Sequence, residues 1–342
     1  MGMFTNKGTD KGTDKSLTNA QFAPVSWIKR FSTSTIKSQA VMLLGFLIII
    51  SLIITALAPR FLQIDNLSVI LRQTSFVALV SLGQMTAMLA GVIDLSVGST
   101  AGLAGICAAL LMNKTVVDPY LALCIGLLVG VLIGFINGTL VTKLCLNPFI
   151  VTLSMSFILS GVTLVVTRGW AIPDLPDKIH WLGKSSLGPF PVPMLFTVFV
   201  AILLAFMLNR TYIGRHLFAI GGNKDAAILV GIPVNRRIIL VYVISGTLSA
   251  MAGLLMVARL ASGQPTVGSG WLLPSFAAPI LGGAALSGGA GSVLGTLVGA
   301  AIMAVIQNGI VMTGMSVYWE NVVVGVVLIA AIIIDKMRRR SS

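Results

Sequence analysis

The sequence predicts an all-α fold, a polytopic transmembrane helix bundle of about ten spans in two loosely related halves, with helices interrupted near Asp94 and Gly288. Three observations carry this expectation. Charged residues make up 10% of the chain and apolar residues 56%, whereas about a quarter of a soluble domain is charged. The apolar residues fall in uncharged runs, among them Val41–Ala58, Leu121–Thr142, Asn147–Thr167, Val192–Asn209 and Ile238–Ala258. Each is close to the ~20 residues that carry a helix across a ~30 Å hydrocarbon core. Runs such as Ile125–Ile136 are also apolar on every face, while the strands of a membrane barrel alternate. Backbone groups in lipid must be satisfied within the segment, so these runs are expected as helices.

Met1–Ser38 is polar, repeats Lys-Gly-Thr-Asp in succession and cannot bury a core. It is expected as a disordered cytoplasmic tail. The sequence Ala56-Leu57-Ala58 imitates a signal-peptide cleavage site, but a long polar stretch precedes the run and Pro59 follows it, so an uncleaved first helix is expected. Within the transmembrane domain, 39–335, spans are expected at 40–58, 69–90, 95–112, 120–142, 148–167, 192–208, 238–258, 271–287, 292–313 and 318–334. A basic cytoplasmic tail, 336–342, closes the chain. Ten spans place both termini on one side. With that side inside, sixteen Lys and Arg lie in internal segments and six in external ones, the asymmetry expected of an inner-membrane protein. The net charge of +13 thus resides in tails and loops and gives no nucleic-acid surface. Cys107, Cys124 and Cys145 have no metal-binding spacing and are expected as buried free thiols.

Two connections are long. Arg168–Pro191 carries Trp170, Trp181 and several prolines and is expected as an ordered external loop. The internal loop, 209–237, contains a short helix signal. Asn223 can cap it, Asp225 lies in its first turn, and Gly231-Ile232-Pro233 ends it. Ala226, Ala227 and Ile228 give that helix a small apolar surface suited to a groove on another protein, whereas a helix resting on lipid headgroups should carry larger apolar residues and a fuller basic face. Gly221-Gly222 permits a tight turn before it.

No catalytic site is expected. The chain has two histidines, no phosphate loop ending in Lys-Ser or Lys-Thr, and no metal-ligand spacing. Of the ten acidic residues, all but Asp94 and Glu320 fall clearly in tails or loops. Asp94, in Gly91-Val92-Ile93-Asp94-Leu95-Ser96-Val97-Gly98, reads either as an N-cap or as a gating carboxylate at an interrupted helix, with Ser96 beside it. A second Gly-rich stretch, Gly282-Gly283 through Gly288-Gly289, is a faint echo of the first, as in transporters built from two related halves. Gln84, Asn137 and Asn308 are polar groups at membrane depth. They are candidates for a solute pathway or for interhelical hydrogen bonds.

In order along the chain stand Asp94-Leu95-Ser96-Val97-Gly98-Ser99, Pro148-Phe149-Ile150-Val151-Thr152-Leu153, Ile213-Gly214-Arg215, Ala219-Ile220-Gly221-Gly222-Asn223, Gln264-Pro265-Thr266, Leu281-Gly282-Gly283 and Gly288-Gly289-Ala290-Gly291. With these segments the chain resembles the permease subunit of ribose-type bacterial ABC importers, relatives of which carry xylose, arabinose, galactose and autoinducer-2. The resemblance implies a homodimer or paired permease, a cytoplasmic ABC ATPase that holds ATP and Mg, and a periplasmic binding protein that delivers a sugar-like solute. It also implies that the 209–237 helix docks the ATPase and that this chain binds no cofactor. The chain departs from the family pattern in carrying Leu272-Leu273-Pro274 where an acidic Glu-Leu-Asp is usual. An ion-coupled secondary carrier and a membrane receptor or scaffold are the rival readings. The first needs more intramembrane ionisable groups than this chain has.

Overall fold

The computed structural model describes residues 2, 34–114, 117–316 and 318–340. The expectation of a disordered N-terminal tail falls almost wholly outside these residues. Two compact units are present, Met1–Ser38 and Gln39–Ser342. The first contributes Gly2 and the opening of α1, and the second holds the bundle.

Thirteen α-helices occur among the described residues. Ten of them stand where apolar spans are expected: α1 (Ser34–Leu57), α2 (Ile64–Leu89), α3 (Val97–Lys114), α4 (Pro119–Lys143), α5 (Pro148–Thr167), α7 (Val192–Arg210), α10 (Val234–Leu260), α11 (Leu272–Leu281), α12 (Val293–Met312) and α13 (Trp319–Arg340). The other three are short: α6 (His180–Lys184), α8 (Tyr212–Gly222) and α9 (Lys224–Leu229). Six of the ten, α2, α4, α5, α7, α10 and α12, are long and apolar enough to cross a membrane by themselves. The apolar stretches of the other four are shorter. Among the described residues, six helices are therefore long and apolar enough to span where about ten spans are expected.

The largest departure is the eighth span. The expected 271–287 is the ten-residue α11, about 15 Å long, half of a ~30 Å core. Gly282 follows it, and Gly283, Gly288 and Gly289 all have positive φ, so the chain turns where a longer helix would have continued. Among the described residues, strands are confined to a two-residue hairpin within the loop 168–191, β1 (Ser186–Leu187) with β2 (Phe190–Pro191).

The core lies along α2 and α10, which are buried over most of their length, with α3, α4, α11 and α12 packed around them. The outer helices α1, α5, α7 and α13 expose many large apolar side chains, as lipid-facing helices do. Packing at the centre depends on small residues. On α4, Gly126, Gly130, Gly134 and Gly138 occur every four residues and abut Leu254, Ala250 and Gly246, Tyr242, and Ile239 of α10 in turn. In lipid, this close backbone approach replaces the hydrophobic drive available in water. The cysteines are free, but only Cys107 is half-buried. Cys124 and Cys145 are exposed, contrary to expectation.

Candidate functional site

The 209–237 loop folds into two helices where the sequence signals one. Thr211 turns the chain from α7 into α8, and Gly214 sits where any Cβ would overlap the Leu208 backbone. Helix α8 buries Leu217 and Ile220 and leaves its other face free. Arg237, at the start of α10, fixes it from the side. The Arg237 guanidinium lies 5.1 Å from the centre of the Tyr212 ring, and its Nε donates to His216 Nδ1 at 3.2 Å.

Asn223 ends α8 and caps α9, its Oδ1 accepting from the Ala226 amide at 2.9 Å. Asp225 occupies the first turn, where a carboxylate complements the helix dipole. Gly231, at φ +80°, and Ile232 return their amides to Ile228 and Ala227 and stop the helix. Cap and stop thus stand as the sequence places them. The exposed face differs. Ala227 is buried in the core, while Ile228, Leu229 and Val230 point outward, Leu229 with 88% of its surface exposed. The outward face is therefore formed by these three larger residues and not by Ala227.

Behind α8–α9 the two interrupted helices meet. The Gly289 amide donates to the Leu89 carbonyl at 3.0 Å. A side chain on Gly221 would overlap both of these groups, and one on Gly288 would overlap Gly221 and Gly91. The end of α2, the end of α8 and the turn before α12 are thus joined backbone to backbone. Gly222 lies against Gly289, and Gly282 packs on Gly295 of α12. A cavity of about 470 Å³ opens beside this junction, lined by Gly91, Thr142, Cys145, Gly221, Asn223 and Lys224.

From the junction, 91–96 runs back into the bundle without helical structure to reach the start of α3. Asp94 is buried here. Its Oδ1 accepts from the Ser96 amide (2.9 Å) and hydroxyl (2.6 Å), and its Oδ2 from the Ser245 hydroxyl of α10 (2.7 Å). Ser96 in turn accepts from Asn137 Nδ2 of α4 at 2.9 Å, and Tyr242 donates to the Ile93 carbonyl at 2.9 Å. Asp94 is therefore not the N-cap of α3. The first helical bond runs from the Thr100 amide to the Ser96 carbonyl, and the carboxylate ties the non-helical segment to α10 and, through Ser96, to α4. Sequence reasoning gave Ser245 and Tyr242 no role at this site. A Tyr and a Ser in one apolar run were the available signal.

The three polar candidates have different surroundings. Asn308 exchanges two hydrogen bonds with Asn66 of α2, at 2.8 and 2.9 Å, and is locked as an interhelical pair. Asn137 serves the Asp94 network, with its Oδ1 unpartnered among the described residues. Gln84 is fully buried with neither amide atom partnered among those residues. A hydroxyl-lined cavity of about 190 Å³ lies elsewhere, between Gly98 and Ser99 of α3, Ser156, Ser160 and Thr163 of α5, and Ser269. Its wall is the stretch 261–271, which lies along α3. Gly98 and Gly268 approach so closely that a Cβ on either would overlap the carbonyl of the other.

A family profile described as "Branched-chain amino acid transport system / permease component" matches residues 66–332. The ribose import permease protein RbsC of Escherichia coli K12 is 37% identical over 315 residues, 91% of this chain and 98% of that protein. The D-allose transport system permease protein AlsC of the same strain is 37% identical over 294 residues, covering 85% and 90% of the two chains. Its L-arabinose transport system permease protein AraH is 33% identical over 300 residues, covering 87% and 91%. No solved structure matches.

Proposed function

The chain belongs to the permease-component family that matches residues 66–332, and on that premise we propose that it forms the translocation path for a hydroxylated, sugar-like solute in an ATP-driven importer. Permease components are transport subunits and not enzymes, so the energy comes from a separate ATPase that would hold the ATP and Mg. The relatives named for ribose, D-allose and L-arabinose support a sugar-like solute. The hydroxyl-lined cavity by Ser99, Ser156 and Ser160 is consistent with one.

The observation that carries the reading is the capped α9 with Ile228, Leu229 and Val230 exposed beside one another. A six-residue helix is not stable in water alone, and an apolar tip of this kind suits a groove on a partner protein. In this reading the α8–α9 face is cytoplasmic, as are both termini, because sixteen of the Lys and Arg residues then lie inside. The face bearing α6 is external and receives solute from a periplasmic binding protein. A second copy of the chain would complete the permease pair. The Asp94 network does not favour an ion-coupled carrier, since its hydroxyl and amide partners hold the carboxylate in place.

Replacing Leu229 by Asp puts a charge on this tip without touching the core. In proteoliposomes with the co-expressed ATPase, the L229D variant should insert normally, lose ATPase copurification and lose solute-stimulated ATP hydrolysis by more than about tenfold. Unchanged copurification and turnover would remove α9 as the docking element.

A further inference from the structure

At the α6 end of the bundle a second cavity, of about 420 Å³, lies on the other side of the 261–271 stretch from the hydroxyl-lined one. Gln73 and Phe76 of α2, Arg259 of α10, Gln264, Trp271 and Glu320 line it. The Phe76 and Trp271 rings are stacked at 6.3 Å and 4°. The Arg259 guanidinium lies over the Phe76 ring, 5.6 Å from its centre.

Arg259 has no carboxylate partner there. The one ion pair among the described residues is His180–Asp177, and residues 261–291 contain no Asp or Glu. The cavity's own carboxylate, Glu320, already accepts from Gln307, which accepts in turn from Gln73 at 2.8 Å. A second guanidinium, Arg72, lies outside the residues that line the cavity. It donates to the Lys184 carbonyl at 2.7 Å and to the Ser186 hydroxyl at 2.9 Å, next to Gly183, which packs on the Arg259 backbone. Arg259 and Glu320 are the charged residues of the lining, and the half-buried Arg259 guanidinium offers a donor fork with no acceptor among the described residues. Such a group is costly until an anion meets it. A planar guanidinium matches a carboxylate in particular, and charge-assisted bonds are about twice as strong as neutral ones. The amides of Gln264 and Gln73 and the indole beside the guanidinium suit a hydroxylated ring, and the volume suits one monosaccharide-sized molecule.

We propose that this cavity is a solute-acceptance site selective for a sugar acid, with Arg259 receiving the carboxylate and the Gln264 and Trp271 wall receiving the ring. The inference rests on the reading of the chain as an importer permease. It departs from the neutral sugars in the names of its relatives.

The test uses the full chain in nanodiscs of zwitterionic lipid, with saturation-transfer NMR reading binding of D-galacturonate, D-galactose and inorganic phosphate. D-galacturonate should bind about tenfold more tightly than D-galactose. Arg259→Gln should bring the two level, while Arg259→Lys should keep part of the preference. Circular dichroism and monodispersity report whether each variant folds. Equal binding of both sugars by the unaltered chain, or an unchanged preference in a folded Arg259→Gln variant, would overturn the proposal. Phosphate displacing D-galacturonate at equal strength would leave an anion site without sugar recognition and also overturn it. So would probe binding that appears only when a binding protein is added. None of these outcomes touches ATPase copurification through Leu229, so the permease reading stands or falls separately.

Discussion

The two ends of the bundle are built on opposite principles. At the α8–α9 end, Leu89–Gly91, Gly221–Gly222 and Gly288–Gly289 touch through their backbones, with no side chain between them to deform. Toward the α6 end, the stretch 261–271 separates two polar cavities, and its exposed Gly270 has open space where a Cβ would stand. The first arrangement joins α8–α9 to both interrupted helices through backbone contacts. The second leaves room for a solute. On the proposed reading, force transmission and solute acceptance lie at opposite ends of α10, with the Asp94 network between them.

The sharpest way to break this comparison is to place the same substitution at both ends. Gly221→Val drives a branched side chain into the Leu89 carbonyl and the Gly289 amide and should cost about 3 kcal/mol or more, read as a large fall in the thermal midpoint in detergent. Gly270→Val, with nothing within 4 Å, should leave that midpoint nearly unchanged. Equal losses would mean that the two ends are equally tight.

The next effect concerns the network between them. Asp94→Leu strands the Ser96 amide and the Ser245 hydroxyl, and should cost about 2–4 kcal/mol with loss of transport. Asn at 94 can accept from Ser96 through its oxygen and donate to Ser245 through its amide, so Asp94→Asn should retain most stability and transport. If Asn fails as badly as Leu while the protein assembles, the charge itself is required.

The smallest expected effect is at the Asn66–Asn308 pair, which joins α2 to α12. A double-mutant cycle to Ala should give a coupling of about 1 kcal/mol, with solute stimulation of the ATPase unchanged. Altered stimulation would return Asn308 to the pathway.

Much of this organisation was legible in the sequence. The helix locations, the Asn223 cap and the Gly231 stop follow from run length and local backbone chemistry, which act over a few residues and leave a readable pattern. The truncation of α11 was harder to read, because 271–287 is as apolar as a span and only the glycines after Leu281 mark the turn. The inward side of α9 was misjudged, since six residues are too few to show which face is buried. Asn308 and Asn137 look alike in sequence as lone amides in apolar runs. One is locked to Asn66 and the other serves Asp94, and both partners are remote in the chain.

By itself, then, the sequence determined a helical membrane chain, its caps and breaks, and where its positive charge lies along the chain, because hydropathy, capping and glycine backbone preferences are local. Only the tertiary structure decided that the two breaks meet at Gly221, that Asp94 binds Ser245, and that Arg259 faces a cavity without a carboxylate partner. Those facts depend on which distant backbones pack closely enough to touch, and no local pattern encodes that distance.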